Sequence, residues 1–480
     1  MSNTAQVSAS KRIEALLDDN SFVEIGGLVT ARNTDFNLSD NATPADGVIT
    51  GYGVINGSLV YVYSQDAAVL GGSIGEMHAK KIANLYDLAL KMGAPVIGLV
   101  DCAGLRLQEA TDALNGFGQI YAKQVEASGV VPQITAIFGT CGGGMAVVPT
   151  LTDFTFMEEK SAKLFVNSPN ALDGNYTSKL DTASAKFQSE EAGIVDVTGD
   201  EASVIEQIRQ LVSVLPANNE DVAEDECTDD LNRVSDTIAN AAGDTSIALA
   251  DIADNNVFFE VKRNYAKDMV TGFIKLNGLT VGAVANRTVV YDEDMKETAK
   301  FDAVLSPEGC EKAAEFVNFC DSFNIPVLTL TNVKGYKATV CAEKHIAKAA
   351  AKLTYAFANA TVPKVNVVIG EAFGSAYVAM NSKSIGADMT FAWDSASIGM
   401  MDANMAAKIM YADKPEVISE KASEYAALQT SAVAAAKRGY VDSIIAPADT
   451  RKYVIGAFEM LYSKKEDLSL IHISEPTRRS

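Results

Sequence analysis

The sequence predicts an α/β protein built as two similar halves. Three observations carry that reading: an internal repeat, an alternation of short β-rich runs with helical ones, and an ordinary globular composition. The 480 residues are 48% hydrophobic and 21% charged, enough apolar side chain for a large buried core and too much for a chain dominated by disorder. Lys and Arg total 40 against 62 Asp and Glu, a formal charge of −22. That balance lacks the basic footprint that nucleic acid or an anionic membrane surface requires. No run approaches the roughly 20 apolar residues of a membrane span, and the opening MSNTAQVSASKR has no apolar signal-peptide core. A cytoplasmic protein is expected.

The repeat is read from matched words. Thr50-Gly51-Tyr52-Gly53-Val54-Ile55-Asn56-Gly57 parallels Thr271-Gly272-Phe273-Ile274-Lys275-Leu276-Asn277-Gly278 at an offset of 221. Ala94-Pro95-Val96 parallels Ile325-Pro326-Val327, and Pro132 parallels Pro363, both at 231. Gly193-Ile194-Val195-Asp196 parallels Gly439-Tyr440-Val441-Asp442. Four pairs in one order, with a 37-residue interval between prolines repeated, make duplication the better account.

Taken in order, GSLVYVYSQ (57–65) is a strand, and GEMHAKKIANLYDLALKMG (75–93) has the three- and four-residue apolar spacing of a helix. APVIGLVD (94–101) is a short buried strand, and QITAIFG (133–139) is strand-like and ends in Thr140-Cys141-Gly142-Gly143-Gly144 before an apolar helix. In the second half CEKAAEFVNFCDSFN (310–324) is the helix, IPVLTLTN (325–332) the strand, and KVNVVIG (364–370) leads to Glu371-Ala372-Phe373-Gly374-Ser375-Ala376. Strand–loop–helix alternation implies parallel pairing with helices outside. Between the halves, NEDVAEDECTDD (219–230) holds seven carboxylates in twelve residues, which reads as a linker. The tail LSLIHISEPTRRS has no periodicity and resembles the translation of a sequencing adapter. The expected division is 1–218, a linker 219–245, 246–467, and a foreign tail 468–480.

The chemistry is narrowed by what is scarce. Six cysteines without a CxxC read as free thiols in a reducing compartment and give no zinc site. Three histidines, one of them His472 in the tail, leave little for histidine-based catalysis. GYGVING opens no helix and so offers no dinucleotide fingerprint, and no P-loop follows any glycine loop. The two small-residue loops carry the strongest signal. A strand that ends in glycine before a helix exposes successive backbone N–H groups, which suit an oxyanion approached closely. Two such loops suggest a reaction in which two carbonyl-type groups both acquire negative charge.

These residues carry a family resemblance. PADGVITGYGVINGSLVYVYSQDAAVLGGSIGEMHAKKI, APVIGLVDCAGLRLQEATDALNGFG, ASGVVPQITAIFGTCGGG and ATVPKVNVVIGEAFGSAYVAMNSKSIGAD resemble the carboxyltransferase subunit of biotin-dependent acyl-CoA carboxylases and acyl-CoA decarboxylases. The resemblance runs from about Lys11 to Lys465. It implies two tandem crotonase-like (ClpP/crotonase) ββα-superhelix domains, the first on the acyl-CoA side and the second on the biotin side. It implies transfer of a carboxyl group between biotin on a separate carrier protein and a short-chain acyl-CoA, of propionyl/methylmalonyl, acetyl/malonyl or glutaconyl type. The cofactor supplies the base, so the scarcity of histidine is no obstacle. By position, Gly143 and Gly144 would hold the thioester oxygen, and Ser375 and Ala376 the biotin ureido oxygen. Gly71, Gly72, Ser73, Gly104 and Gly142 would line the CoA ester, with Gly374 and Tyr377 at the second loop. No metal is implied. Implied partners are a biotin carboxyl carrier protein and either biotin carboxylase or membrane-bound decarboxylase subunits, within a homo-oligomer (a hexamer, trimer of dimers).

Some residues depart from the family pattern. Gly374-Ser375-Ala376 replaces Gly-Gly-Ala, Lys334-Gly335-Tyr336 replaces Pro-Gly-Phe, and Ala338 to Lys344 replaces a glycine-rich stretch. Three other readings compete: the α subunit of a sodium-pumping methylmalonyl- or glutaconyl-CoA decarboxylase, an inactive scaffold subunit, and a serine hydrolase. The last rests on Gly71-Gly72-Ser73-Ile74-Gly75, a G-x-S-x-G before a helix. His78 and His345 read as helix-surface histidines. Asp101, Arg106 and Glu109 read as a salt-bridged loop, and Lys80, Lys81, Arg106 and Lys123 are the candidate cations for coenzyme A.

Overall fold

A computed structural model describes residues 7–33, 42–292 and 294–465. It divides into two compact units between Val222 and Ala223. The proposed foreign tail lies outside the described residues.

The first unit runs α1 (Ala9–Leu16), β1 (Val23–Ile25), β2 (Val48–Ile55), β3 (Ser58–Gln65), α2 (Glu76–Met92), β4 (Val96–Cys102), α3 (Ala110–Ala127), β5 (Gln133–Gly142), α4 (Val147–Leu151), β6 (Phe154–Glu158), β7 (Lys163–Phe165), β8 (Val197–Gly199) and α5 (Glu201–Val214). Its sheet order is β1-β2-β3-β4-β5-β6-β8, with β7 on β5. The second unit runs β9 (Phe258–Val261), β10 (Met269–Leu276), β11 (Leu279–Asn286), β12 (Val289–Tyr291), β13 (Glu297–Lys300), α6 (Pro307–Ser322), β14 (Val327–Val333), α7 (Ile346–Asn359), β15 (Lys364–Phe373), α8 (Gly374–Ala379), β16 (Met389–Trp393), β17 (Ser397–Gly399), β18 (Ser443–Ile445) and α9 (Thr450–Leu461). Its main sheet is β9-β10-β11-β14-β15-β16-β18, with β17 on β15, and β12 and β13 form a separate ribbon. Strand for strand the two sheets have one topology.

Parallel pairing holds from β3 onward and from β11 onward. Each sheet nevertheless begins with antiparallel strands, which the alternation did not foretell. The reason is local. β2 and β3 pair from Val48↔Gln65 to Ile55↔Ser58, leaving Asn56-Gly57 as a two-residue turn, with φ of 50° and 80°. β10 and β11 pair from Met269↔Asn286 to Leu276↔Leu279 around Asn277-Gly278, at 52° and 80°. Asn-Gly tolerates left-handed φ at both turn positions, and the resulting twist matches that of a hairpin.

Each turn is gripped in the same way. Asp18 accepts from the N–H groups of Asn56 (3.1 Å) and Gly57 (3.0 Å), and Asp254 accepts from Asn277 (3.2 Å) and Gly278 (2.7 Å). Arg209 of α5 binds Asp18 and the Leu16 carbonyl, and Arg451 of α9 binds Asp254 and the Ile252 carbonyl. A buried lysine repeats too: Lys81 donates to the carbonyl of Val48, and Lys312 to that of Met269. The paired GxVD words have a structural role. Asp196 accepts from the Thr155 N–H at 2.6 Å and Asp442 from the Thr390 N–H at 2.8 Å, fixing β6 and β16.

The core of the first unit packs Ile82, Leu85 and Tyr86 of α2 and Phe117 and Ile120 of α3 on Val96, Val100 and Ile137 of the sheet. In the second, Ile274, Val365, Val367 and Trp393 meet Val454 and Phe458 of α9. Each such side chain contributes roughly 1.5–3 kcal/mol by burial. The acidic segment does not stand free of the second unit. Ala223 and Asp225 bond Thr280 and Gly278, Ile238 enters the second core, and Asp229 pairs with Arg233 at 3.1 Å. Glu220, Asp221, Glu224, Asp225, Glu226 and Asp230 are exposed, Asp229 is half-buried, and Ile238, eight residues beyond the segment, is buried. No described helix is long and apolar enough to cross a membrane.

Candidate active site

The two small-residue loops have one geometry. Gly142 ends β5 in an extended conformation, Gly143 turns at φ +63°, and Gly144 follows, exposed, into the turn that leads to α4. Phe373 ends β15 extended, Gly374 turns at φ +63°, and Ser375 follows, exposed, in the first turn of α8. Only glycine takes that φ without strain. The first N–H groups of a helical turn have no partner within the helix, and each turn stands at the C-terminal end of a parallel strand. α4 and α8 are only 5 and 6 residues long, too short for a large helix dipole. Gly143 corresponds to Gly374, so the expected donors Ser375 and Ala376 stand one residue further along than Gly143 and Gly144.

The first loop is braced from below. Phe117 and Tyr121 of α3 stack at 5.7 Å, the Tyr121 hydroxyl donates to the Gly144 carbonyl, and a Cβ on Gly144 would come within 3.1 Å of the Phe117 ring and of the Tyr121 hydroxyl oxygen. Sequence reading missed Tyr121, whose signal is an i,i+4 aromatic pair on the helix. A Cβ on Gly142 would meet the Phe165 ring at 2.7 Å. Around the second loop Ala376 is buried, and burial pushes the Tyr377 phenol up to about 12. The nearest atom to an ideal Cβ on Gly374 is the Met400 carbonyl oxygen at 3.4 Å, so the space beside this turn is open. Burial also drives the Cys102 thiol up to about 11 and raises that of Cys141, so neither offers a thiolate.

Gly71, Gly72 and Ser73 come together with Gly104. The Ala103 N–H donates to the Gly71 carbonyl at 3.0 Å, that of Ile74 to Gly104 at 2.9 Å, and that of Arg106 to Ile74 at 2.9 Å. A Cβ on Gly72 would lie 2.2 Å from the Asp101 carbonyl, so only glycine fits. Cys102, at the end of β4, pairs in register with Cys141 of β5, so the Gly104 loop and the Gly143 loop leave neighbouring strands.

Beneath the Ser73 loop lies a buried charged cluster, and it corrects three readings. His78 is not on the helix surface; it is fully buried. Its N–H donates to Asp46 Oδ2 at 2.7 Å, Nδ1 meets the Asp46 carbonyl at 3.0 Å, and Nε2 meets Gln65 Nε2 at 3.2 Å. Burial and the nearby Arg106 pull its pKa down to about 3. Lys81 is not free for coenzyme A, because its ammonium is spent on the carbonyls of Ala45 and Val48. Arg106 is not free either: it bonds Asp46 at 2.6 Å and Glu109 at 2.7 Å. The salt-bridged loop thus exists, with Asp101 turned instead to Arg12 at 3.6 Å. Lys80 and Lys123 are partly exposed and pair with Glu76 and with Asp87 and Glu126, and His345 is exposed. The Ser73 hydroxyl donates to the Leu70 carbonyl at 2.7 Å. With both His78 nitrogens engaged elsewhere, Ser73 has no general base in His78, and the hydrolase reading fails.

Comparison with known proteins gives one answer. The carboxyl transferase domain family matches residues 4–472, ending within the tail set aside above. The propionyl-CoA carboxylase beta chain of Roseobacter denitrificans is 39% identical over 96% of this chain and 91% of its own. The methylmalonyl-CoA decarboxylase subunit alpha of Propionigenium modestum is 37% identical over 97% and 92%. A crystal structure of the hexameric transcarboxylase 12S, with hydrolysed methylmalonyl-coenzyme A bound, superposes with a TM-score of 0.90 at 35% identity, covering 97% of this chain and 91% of that one. With its tandem crotonase-like α/β architecture, this chain is a carboxyltransferase and belongs to the carboxyl transferase domain family.

Proposed function

We propose that this chain moves a carboxyl group between biotin, borne on a separate carrier protein, and a short-chain acyl-CoA of the propionyl/methylmalonyl type. The observation that carries the reading is the pair of equivalent glycine turns, Gly143 and Gly374, each at φ +63° where a parallel strand runs into a helical turn. In the first unit Gly143 and Gly144 hold the thioester oxygen as it gains charge, while Gly71, Gly72, Ser73, Gly104 and Gly142 shape the backbone around the ester. In the second, Ser375 and Ala376 receive the ureido oxygen, with Gly374 providing the turn and Tyr377 packed behind it. Replacing the family's middle glycine with Ser375 keeps the backbone donor. Biotin, when present, supplies the carboxyl carrier and the base for the α-proton of the acyl group. The chain's own donors need no titrating side chain.

The same donors serve either direction. The carboxylase relatives support work with biotin carboxyl carrier protein and biotin carboxylase in the cytoplasm, and the hexameric transcarboxylase 12S supports a hexamer. The Propionigenium relative supports the second reading, an α subunit joined to membrane-bound decarboxylase subunits. Exchange of labelled carboxyl from malonyl-, methylmalonyl- and glutaconyl-CoA onto free biotin tests the function. Transfer from methylmalonyl-CoA is expected. Transfer from none of the three overturns the reading in favour of a scaffold subunit.

A further inference from the structure

The charged cluster under the Ser73 loop belongs to one half only. Arg106, Asp46, Glu109 and His78 are all at most 4% exposed. One guanidinium nitrogen of Arg106 bonds Asp46 and Glu109; the other donates to the Ser73 carbonyl at 2.9 Å, and Nε reaches the Ser73 hydroxyl at 3.5 Å. Glu109 also accepts from the Glu76 N–H, tying in the start of α2. The backbone around the cluster is strained: Ala45, Asp46, Leu70 and Ala110 hold φ between +47° and +51° without being glycine. Buried charge and left-handed backbone are both costly, and they persist where the surroundings over-determine them.

The second unit serves as an internal control. It keeps the frame around the corresponding position. The bridge Ile74↔Leu105 recurs as Leu305↔Tyr336, 231 residues on. The buried Lys81 recurs as Lys312, and the Gln65 side chain that accepts from the Asp101 N–H recurs as Asn286 accepting from Asn332. It keeps none of the cluster. At the places of Ser73, His78, Arg106 and Glu109 stand Val304, Gly309, Lys337 and Val340, and at the place of Asp46 stands Lys267. Lys337 is exposed and Val340 is 83% exposed. The second unit has a buried arginine of its own, Arg287, but its contacts run to the Lys267 carbonyl at 2.7 Å, to Glu260 at 3.2 Å and to Asp244 at 3.6 Å. What is particular to the first unit is therefore the link from a buried arginine to the loop at Ser73.

We infer that Arg106, clamped by Asp46 and Glu109, is a positioning residue for the acyl-CoA substrate: it fixes the Ser73–Ile74 backbone against Gly104 and so sets the surface that receives the CoA ester. This rests on the function proposed above. Arg106 touches no substrate itself; it acts through Ser73. Lysine at this place reaches one carboxylate but cannot also span the Ser73 carbonyl, because the fork geometry is lost.

The test compares wild type with Arg106→Met, Arg106→Lys and Glu109→Gln in carboxyl exchange between methylmalonyl-CoA and free biotin. Arg106→Met should raise KM for methylmalonyl-CoA by about tenfold or more, with kcat reduced less and KM for biotin unchanged. Arg106→Lys should recover part of the loss. An unchanged KM for methylmalonyl-CoA, or equal rises in both KM values, overturns the inference. Should Arg106→Met fail to fold, Glu109→Gln carries the same test, since it preserves volume and loosens the clamp. Calorimetric titration with free coenzyme A separates the two claims. Wild type that binds coenzyme A without transferring carboxyl overturns the proposed function, and the inference is then decided by whether the variants bind more weakly. Wild type that binds no coenzyme A overturns both.

Discussion

At the scale of single residues, what was legible in the sequence was local. Gly143 and Gly374 announce themselves because each must turn a strand end through a φ that other residues resist, and their neighbours need no side chain to donate. His78 was misread because its burial depends on Asp46, thirty-two residues earlier, whose carboxylate and carbonyl meet both its backbone and its ring. Two predictions belong here. Gly144→Pro removes a donor N–H and should lower turnover by about 10²-fold; Gly144→Ala keeps the N–H and reports the crowding by Phe117 and Tyr121 alone. Comparison of the two rates, with circular dichroism to confirm folding, isolates the donor, and equal rates would remove it from the mechanism. His78 has a folded pKa of about 3, below its ordinary 6.5. The unfolded chain therefore takes up a proton that the native chain refuses, and stability is complete above pH 6.5 and falls as pH drops toward 3. Between pH 6.5 and 5 this group should cost about 2 kcal/mol. Urea unfolding of His78→Gln should show that much less acid sensitivity than wild type.

At the scale of elements, the strands and helices followed from periodicity, and the duplicated 37-residue interval placed the two loops in register before any coordinate was known. The antiparallel start of each sheet was missed, although its signal, Asn-Gly inside both copies of the repeat, was quoted in the matched words. A two-residue Asn-Gly turn leaves its flanking strands no room for a crossover helix, so it sets antiparallel pairing whatever alternation follows. The acidic segment meets the second unit through its backbone, Ala223 and Asp225 bonding Thr280 and Gly278, a contact that a count of carboxylates does not reveal. The two turns differ in one testable respect. A Cβ at Gly57 meets nothing within 4 Å, whereas at Gly278 it would lie 1.8 Å from the Asp225 carbonyl. Gly57→Ala should cost about 1 kcal/mol, the price of left-handed φ alone, and Gly278→Ala about 3 kcal/mol, because the acidic segment must also move. Trp393, the chain's single tryptophan, is buried in the second unit. Its fluorescence in urea should register Gly278→Ala strongly, and a midpoint unmoved by that change would contradict the packing of Asp225 on the turn.

At the scale of the whole molecule, the charge of −22 bears on a substrate that is itself anionic. With Lys81 and Arg106 withdrawn into internal bonds, the long-range field repels coenzyme A esters, and salt screens that repulsion. KM for methylmalonyl-CoA should therefore fall as ionic strength rises from about 0.02 to 0.2 M, by about twofold. A rise over that range would show that unrecognised surface cations govern the encounter. The paired aspartates Asp18 and Asp254 have a wider consequence. In each unit an arginine from the closing helix reaches back to an aspartate that precedes the first strand, Asp18 before β1 and Asp254 before β9, so the two ends of each unit are fastened together. A gene segment encoding such a module can be copied end to end without rethreading a strand, and each copy arrives with its own clasp. The copies differ at their loops, Arg106 standing in one where the other has Lys337, while the clasp is the same in both.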